Sequence, residues 1–317
     1  MKILAMVLAG GNGTRLHPLT AEDAKPALPL AAGYRIIDFV LSNLVNSAIS
    51  PIYVLVQYKP QSLIEHIRTA WSACSGGEKP AITVVLKQAN GVSGAFKGTA
   101  DAVYQNLHLI ERHQPDLVAV FAADHVYRMD VRQMARFHQE RSAEVSIAAV
   151  RVPVAKASAF GIMAVGPAGE LHEFLEKPER PAPIPTDPDR AYISMGNYLF
   201  NPRVLVELLE EAARHGDTDF GRDIMPVLPG RRRAWAYDFA SNTVPGVQPY
   251  EERGYWRDIG TLDAYRAARY DVLGPLPRFS LVNVEWPIRG DANCVRRGIA
   301  PPAVTASAAT RRVAVSA

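Results

Sequence analysis

The N-terminal segment of the chain combines residue types that bind phosphate. It reads ILAMVLAGGNGTRLHPLTAEDAK, an apolar run followed by a glycine-rich turn and then two cations. Gly10, Gly11 and Gly13 have no Cβ, so the backbone is free to adopt φ > 0 and to direct its N–H groups at phosphate oxygens. Arg15 and Lys25 supply positive charge for the oxygens that the amides leave unneutralised. The spacing matches neither G-x-x-x-x-G-K-[ST] nor G-x-G-x-x-G, so we predict a nucleoside triphosphate site of another type, with a ligand-free strand-to-helix turn as the alternative.

Three charged residues further along the chain follow strand-like segments. Asp124 comes directly after DLVAVFAA, Lys177 ends the run FLEK before a proline, and Asp258 lies in YWRDIGT. Sheets of α/β proteins bind ligands at the carboxyl ends of their strands, which favours Asp124 as a site residue. An aspartate also starts a following helix well, and that alternative stays open for both aspartates. The compact ammonium group of Lys177 suits a phosphate monoester, the alternative being a solvated lysine at a strand end.

Apolar runs that alternate with helical patterns must position these residues. The runs occupy residues 3–9, 51–57, 81–87, 116–123 and 144–152. Strands that alternate with helices are typical of βαβ units, so we predict an α/β fold with a Rossmann-like, mostly parallel sheet.

The second half of the chain has a different spacing. FGIMAVGPAGELHEFLEKP predicts a hairpin that turns at residues 166–169, and we expect it to form an antiparallel addition that carries a second substrate. The proline-rich residues 178–190 predict a surface loop. An amphipathic helix is predicted at 203–216, where Gly216 ends it.

Composition excludes several other classes of protein. The 317 residues are 48% hydrophobic and 21% charged, as in an ordinary globular protein. A net charge of +3 is too balanced to favour nucleic acid. No stretch approaches the roughly 18 apolar residues of a membrane span, and the N-terminal apolar run ends in the glycine turn instead of a signal cleavage site. Cys74 and Cys294 lie far apart and predict neither a disulfide framework nor a zinc cluster, which fits a reducing cytoplasm.

Segments throughout the chain resemble one enzyme family. AGGNGTRL, AKPALPL and YRIIDFVLSNLVNSAI resemble the N-terminus of the sugar-nucleotide pyrophosphorylases. GTADAVYQN, SMGNYLF and YWRDIGTLDAY together are specific to the glucose-1-phosphate adenylyltransferases, and the resemblance covers roughly residues 1–290. It implies a fold of the sugar-nucleotidyltransferase type and adenylyl transfer from ATP to glucose 1-phosphate, which supplies ADP-glucose for glycogen or related α-glucans. Such a transfer needs positioning, cations and carboxylates that hold a divalent metal ion, here Mg²⁺.

The resemblance also implies a role for each matching residue. Asp124, in a motif whose usual preceding glycine is here Ala123, holds the metal together with Asp258. The catalytic residues are Asp124, Arg15 and Lys25. The nucleotide-binding residues are Gly10, Gly11, Gly13, Thr14, Gln57, Gln88, Phe96, Gly98 and Thr99. The sugar-phosphate-binding residues are Glu176, Lys177, Ser194, Gly196 and Asp219, and Phe220 helps to close their pocket.

Local sequence patterns add detail for the predicted nucleotide-binding residues. Gly98 and Thr99 open a helix, and we expect Thr99 to cap it and the free N–H groups to face an anion or a base edge. Gln57 and Gln88 each end a strand and are candidates for reading the base. Phe96 stands where the family usually has a tyrosine, which keeps ring stacking but loses the hydroxyl.

Three features depart from the family pattern. Glu22 and Asp23 stand where the glycogen-pathway enzymes carry basic residues for anionic activators, and Ala95 replaces an aromatic residue of the activation loop. No hexapeptide repeats of the family's C-terminal β-helix follow WPIR. We therefore expect a weak effector response and a homo-oligomer, if one forms, smaller than the family's tetramer. The expected division is a nucleotidyltransferase domain at 1–275, a linker resembling the start of the C-terminal domain at 276–290, and a disordered tail at 291–317.

Other functions stay open at this point. A nucleotidyltransferase for another triphosphate or sugar phosphate would need only a few different contacts. A non-catalytic regulatory homologue would keep the pocket without turnover, but Lys177, Asp124 and Asp258 are all present, which favours an enzyme. A dinucleotide oxidoreductase has no support, because no G-x-G-x-x-G follows the first strand.

Overall fold

A computed structural model describes residues 1–11, 13–31, 33–71, 81–86 and 96–291. The strands are β1 (Ile3–Ala9), β2 (Pro29–Ala31), β3 (Tyr34–Arg35), β4 (Ile52–Val56), β5 (Ile82–Leu86), β6 (Leu117–Ala122), β7 (His125–Tyr127), β8 (Val145–Pro153), β9 (Gly161–Val165), β10 (Leu171–Glu176), β11 (Arg190–Phe200), β12 (Ala234–Asp238) and β13 (Trp256–Asp258). The α-helices are α1 (Ile37–Asn46), α2 (Pro60–His66), α3 (Thr99–Tyr104), α4 (His108–His113), α5 (Val131–Glu140), α6 (Pro202–His215) and α7 (Leu262–Leu273). Single π-helical turns lie at Ile67–Trp71 and Phe220–Ile224.

The main sheet has a parallel half and an antiparallel half. Strands β6, β1, β4 and β5 lie side by side and parallel. Strand β11 runs antiparallel beside β6 and continues the sheet towards the β9–β10 hairpin. The predicted mostly parallel α/β sheet with an antiparallel addition is confirmed, including the hairpin. One detail differs: β8, predicted among the alternating strands, pairs with β11 and β12 instead of the parallel group.

Strands β1, β4 and β6 of the parallel half are buried on both faces, which explains why they are continuous apolar runs. Alternate residues of β1 enter two different apolar clusters: Ile3, Ala5 and Val7 lie in one, and Leu4 and Met6 in the other. Side chains of a strand alternate between faces, so β1 is covered by helices on both sides. This burial fixes the carboxyl ends of the parallel strands, where the first loop and Asp124 follow.

Helix α6 confirms the prediction from its sequence pattern. Pro202 occupies its first position, where the missing N–H is not needed. Its apolar stripe, which includes Leu205 and Leu209, is buried. Gly216 follows the last turn with a φ of 81°, the left-handed conformation that ends many helices.

A buried polar cluster fastens residues 289–291 to α1 and α2. His66 is 1% exposed, and its Nε2 lies 2.7 Å from Oδ1 of the fully buried Asp38, while its Nδ1 lies 3.6 Å from Asp291. Burial by itself disfavours the imidazolium, but the carboxylates of Asp291 and Asp38 outweigh it and raise the pKa of His66 to about 9. Ser42 accepts a hydrogen bond from the N–H of Arg289 at 2.8 Å, which holds the same segment on α1.

Within the described ranges, no helix is both long enough and apolar enough to cross a bilayer. The tail predicted at 291–317 lies, apart from Asp291, outside the described residues.

Candidate active site

A cleft of about 410 Å³ opens at the carboxyl ends of β1, β4 and β6. It extends from the glycine loop after β1 across to the end of β10 and to residues 194–196 of β11. The sequence-predicted residues that line it are Gly10, Gly11, Arg15, Gln57, Phe96, Gly98, Thr99, Asp124, Glu176, Lys177, Ser194, Gly196, Asp219 and Asp258. The cleft therefore brings the predicted nucleotide, sugar-phosphate and metal residues to one place.

Three other predicted residues lie beside this cleft instead of lining it. Of the three glycines in the loop, Gly13 alone has a positive φ, of 65°, and a Cβ there would lie 2.8 Å from the Thr20 side chain. Gly10 and Gly11 do not use the freedom of positive φ that the missing Cβ allows them. Thr14 begins a short 3₁₀ turn and is exposed. Lys25 lies beneath the cleft, and Gln88 lies outside the described residues.

Lys25 joins the two predicted metal-binding aspartates. Its Nζ donates to Oδ2 of Asp124 at 2.7 Å and to Oδ1 of Asp258 at 3.4 Å. The side chain of Lys25 is 10% exposed, whereas those of Asp124 and Asp258 are 34% and 25% exposed. The ammonium is thus enclosed by protein, and the carboxylates reach the cleft. The aspartate pair therefore contacts the Lys25 ammonium at the floor of the cleft.

The charges of this cluster reinforce one another. Burial by itself lowers the pKa of Lys25, but the carboxylates of Asp124 and Asp258 outweigh it and raise that pKa above its usual value. Burial likewise disfavours ionised Asp124, but the charges of Lys25 and His125 hold the pKa of this carboxyl well below its usual range. Lys25 is therefore a cation and Asp124 an anion at neutral pH.

A small strand pair places Asp258 next to Asp124. In the antiparallel pairing of β13 with β7, Asp258 lies opposite His125, the residue after Asp124. The alternative that the two aspartates start helices is wrong. Asp124 is followed by β7, and Thr261 caps α7 by accepting a hydrogen bond from the N–H of Ala264.

His125 belongs to the site and was missed in the sequence analysis. Its Nε2 lies 3.4 Å from Oδ1 of Asp124 and 3.7 Å from Oδ1 of Asp258, and its ring packs on that of Trp256. The available signal was its position beside Asp124. In a regular strand, neighbouring side chains point to opposite faces, so the bend between β6 and β7 is what brings both towards the cleft.

Asp124, His125 and Asp258 together can hold a metal ion. One ligand atom from each lies within 4.8 Å of the others. Carboxylate oxygens are hard ligands that suit divalent cations such as Mg²⁺. The fit is further supported by the ammonium of Lys25, since the same two carboxylates already bind a positive charge.

The nucleotide side of the cleft is built on Gln57 and Phe96. Gln57 follows β4, and its Nε2 donates to the carbonyl of Phe96 at 2.7 Å. Its Oε1 faces Gly10, where a Cβ would lie 3.6 Å away. The ring of Phe96 is buried at 5% exposure. Gln57 therefore fastens the Phe96 segment to the end of β4, beside Gly10, and its role in reading the base stays a prediction.

The sugar-phosphate side is built on the end of β10 and on β11. Glu176 accepts a hydrogen bond from Nζ of Lys177 at 2.6 Å, and the Lys177 side chain is 59% exposed. In β11 the pairing with β8 shifts register between Ser194 and Tyr198, and Gly196, inside this bulge, has a φ of 69°. The bulge turns Ser194 and Gly196 to the cleft, as bulges next to active sites do.

Thr99 has contacts that differ from those expected. The cap position of α3 is Gly98, which has no side chain, so the expectation that Thr99 caps this helix is wrong. The N–H groups of Ala100 and Asp101 donate to the carbonyl of Thr218 at 2.8 and 3.1 Å. Two of the N–H groups expected to be free at this helix start are therefore already bound.

The parallel sheet, the glycine loop and the paired carboxylates define a phosphate-binding α/β enzyme of the nucleotidyl-transfer class. Residues 4–274 match the family model described as Nucleotidyl transferase. A glucose-1-phosphate adenylyltransferase of Thermodesulfovibrio yellowstonii is 53% identical over 288 residues, which cover 90% of this chain and 70% of that protein. The enzymes of the same name from Thermus thermophilus and Mycobacterium marinum are 49% and 48% identical, and the alignments cover 91% and 92% of this chain and 71% and 72% of theirs.

The chain belongs to the glucose-1-phosphate adenylyltransferase family of nucleotidyl transferases. Nucleotidyl transferases generally use a divalent metal ion to neutralise phosphate charge, and the cluster of Asp124, His125 and Asp258 offers the ligands for one.

Proposed function

We propose that this chain transfers the adenylyl group of ATP to α-D-glucose 1-phosphate, forming ADP-glucose and pyrophosphate. The observation that carries the proposal is the position of the Lys25–Asp124–Asp258 cluster. It lies at the floor of a cleft that has the glycine loop on one side and the Glu176–Lys177 pair on the other. The domain that carries the activity is proposed to span residues 1–275.

The reaction needs no covalent intermediate with the enzyme. An oxygen of the sugar phosphate attacks the α-phosphorus of ATP, and the bond from this phosphorus to the bridging oxygen breaks, so that pyrophosphate leaves with the bonding electrons. Both substrates are anionic, and their mutual repulsion must be neutralised by fixed positive charge. Arg15 and Lys25 supply this charge on the nucleotide side, and Lys177 supplies it on the sugar-phosphate side.

We infer that the divalent ion is Mg²⁺, held by Asp124 and Asp258. When bound, it would neutralise charge that develops on the phosphate oxygens. Because Lys25 touches both aspartates, its ammonium also orients the carboxylate oxygens in the absence of an ion. The protein therefore fixes the ligand positions before the substrates arrive.

The test is a release assay for pyrophosphate with a nucleotide panel and a sugar-phosphate panel. Purified protein is supplied with Mg²⁺, glucose 1-phosphate and one of ATP, UTP, GTP, CTP or dTTP, and then with ATP and different sugar 1-phosphates. We expect turnover with ATP and glucose 1-phosphate and identification of ADP-glucose by mass spectrometry. Preference for another triphosphate or sugar phosphate would replace this function with that of a different nucleotidyltransferase.

The matched control for the assay is Asp124→Asn. A preorganised charge at the transition state is worth about 3 kcal/mol, so this variant should fold but turn over roughly 10²-fold more slowly. Wild-type protein that binds ATP without releasing pyrophosphate would indicate a non-catalytic homologue. A variant with wild-type turnover at saturating Mg²⁺ would contradict the role of Asp124.

A further inference from the structure

The hydroxyl of Thr99 binds the sugar side of the cleft, although Thr99 begins the helix that follows the nucleotide segment. Its Oγ1 donates to Oδ2 of Asp219 at 2.9 Å and accepts a hydrogen bond from the N–H of Phe220 at 2.9 Å. An amide N–H only donates, so the threonine oxygen must accept there, and its proton is left for the carboxylate. The hydroxyl therefore donates its proton to Asp219 and accepts a hydrogen bond from Phe220.

The backbone around Thr99 makes the same connection. Gly98 has no side chain, and a Cβ at this position would overlap the Thr218 carbonyl oxygen. That carbonyl also accepts the hydrogen bonds of the first N–H groups of α3. On the other side, the Asp223 carboxylate accepts from the N–H groups of Thr218 and Asp219, each at 2.8 Å. The start of α3 and the segment 218–220 thus form one hydrogen-bonded unit.

This unit fixes the direction of the Asp219 carboxylate. Oδ2 accepts from Thr99, and Oδ1 accepts from the N–H of Arg222 at 3.1 Å. An ionised carboxylate has about four acceptor sites, so sites for further donors are left on both oxygens. Asp219 lines the cleft. A carboxylate repels phosphate, so the ligand group that suits it is a hydroxyl donor.

We propose that Thr99 is a positioning residue for sugar binding: its hydroxyl orients Asp219 to accept a hydrogen bond from a hydroxyl of the sugar phosphate. This inference rests on the proposed function and replaces a nucleotide contact for Thr99. Without the hydroxyl, Asp219 keeps its backbone partner but loses the bond that fixes Oδ2. Loss of this hydrogen bond should weaken binding of the sugar phosphate and leave ATP binding unchanged.

Steady-state kinetics of Thr99→Val and Thr99→Ser, with each substrate varied in turn, test the proposal. The valine variant keeps the shape but lacks the hydroxyl, and we expect its KM for glucose 1-phosphate to rise by about tenfold or more, as for a lost bond to a charged group. Its KM for ATP should stay near that of the wild type. The serine variant keeps the hydroxyl and should restore the KM for glucose 1-phosphate.

A double-mutant cycle with Asp219→Asn separates positioning from general packing. If Thr99 acts through Asp219, adding Thr99→Val to Asp219→Asn raises the KM for glucose 1-phosphate no further. Thr69→Val is the control, because among the described residues its hydroxyl bonds the carbonyls of Glu65 and His66 in its own helical segment and lies outside the cleft lining. It should change neither KM.

Five outcomes would overturn the proposal: unchanged KM values in the variants, an equal rise in both KM values, additive effects in the cycle, no rescue by serine, or loss of folding in the valine variant. Loss of folding would make Thr99 a folding contact. Wild-type protein is measured first with ATP and glucose 1-phosphate. An inactive wild type would refute the proposed function, whereas an active wild type with unaffected variants would refute the role of Thr99 alone.

Discussion

Replacing Lys25 with methionine tests whether its ammonium competes with metal for the aspartate pair. Nζ of Lys25 lies 2.7 Å from Asp124 and 3.4 Å from Asp258, and the side chain is 10% exposed. Methionine fills a similar volume with an unbranched apolar chain, so the packing beneath the cleft is retained while the charge is lost. The two carboxylates would then face each other without a protein cation between them.

The distances between Lys25 and the two aspartates set the size of the expected change in Mn²⁺ affinity. At an effective dielectric constant of about 20, unit charges at these two separations attract by about 6 and about 5 kcal/mol before desolvation is counted. The ligand atoms of the two aspartates and His125 lie within 4.8 Å of one another, so two unpaired carboxylates at that separation repel by about 3 kcal/mol. A bound divalent ion removes this repulsion. We therefore expect Lys25→Met to bind Mn²⁺ at least about tenfold more tightly. A tenfold change in affinity corresponds to about 1.4 kcal/mol, a small part of the attraction between the ammonium and the two carboxylates.

The same substitution should lower activity and make stability depend on metal. Loss of the ammonium that orients the two carboxylates at the floor of the cleft should reduce turnover by about 10²-fold or more. Without metal the variant should melt at a lower temperature than the wild type, and added Mn²⁺ should raise its melting temperature more, because an ion that binds only the folded state stabilises it.

The assay is titration of Mn²⁺ followed by the electron paramagnetic resonance signal of the free ion, alongside thermal melting and turnover with Mg²⁺. Lys2→Met is the matched control, since Lys2 precedes β1 at the opposite edge of the sheet and its Nζ bonds the carbonyl of His113. The control should leave Mn²⁺ affinity unchanged. Weaker Mn²⁺ binding by Lys25→Met than by the wild type, or full turnover, would refute the reasoning.

Three further predictions concern other parts of the molecule. Lys177→Gln should raise the KM for glucose 1-phosphate by roughly 10- to 150-fold with little change for ATP, because a charge-assisted contact to one substrate is lost; steady-state kinetics that show equal losses for both substrates would assign Lys177 to the structure. Gly221→Ala should raise the same KM with little loss of melting temperature, because the new Cβ would lie 2.7 Å from Oε2 of Glu176, the end of a side chain that can move; an unchanged KM would contradict a sugar contact by that carboxylate. His66 is protonated in the folded protein, since its pKa is raised from 6.5 to about 9, so its stabilisation is complete below pH 6.5 and is lost as pH rises through about 9. The wild-type free energy of unfolding, from urea titrations at several pH values, should fall by up to about 3 kcal/mol across this window, and His66→Gln should lack that fall.

Local patterns in the sequence were sufficient for the elements of the fold. Continuous apolar runs predicted the parallel strands, the Gly166–Gly169 turn predicted the hairpin, and Gly216 predicted the end of α6. These features depend on backbone conformation and side-chain periodicity within about ten residues, which a sequence displays directly. The pairing of β8 depended on competition among distant strands, and its sequence pattern carried no information on its partner.

The composition of the site was determined partly by sequence and partly by tertiary structure. Residue types and the resemblance indicated Asp124, Asp258, Lys25 and Lys177, because a motif specifies which side chains are present. Only the folded chain decided what they touch: Lys25 meets Asp258 across 233 positions of sequence, and Thr99 meets Asp219 across 120. Such contacts arise from strand pairing and loop packing over long separations, which no local periodicity encodes. The physical reason is that hydrogen bonds and ion pairs depend on distances of a few ångströms, whereas sequence patterns specify only the order of residues and the faces of the elements they form.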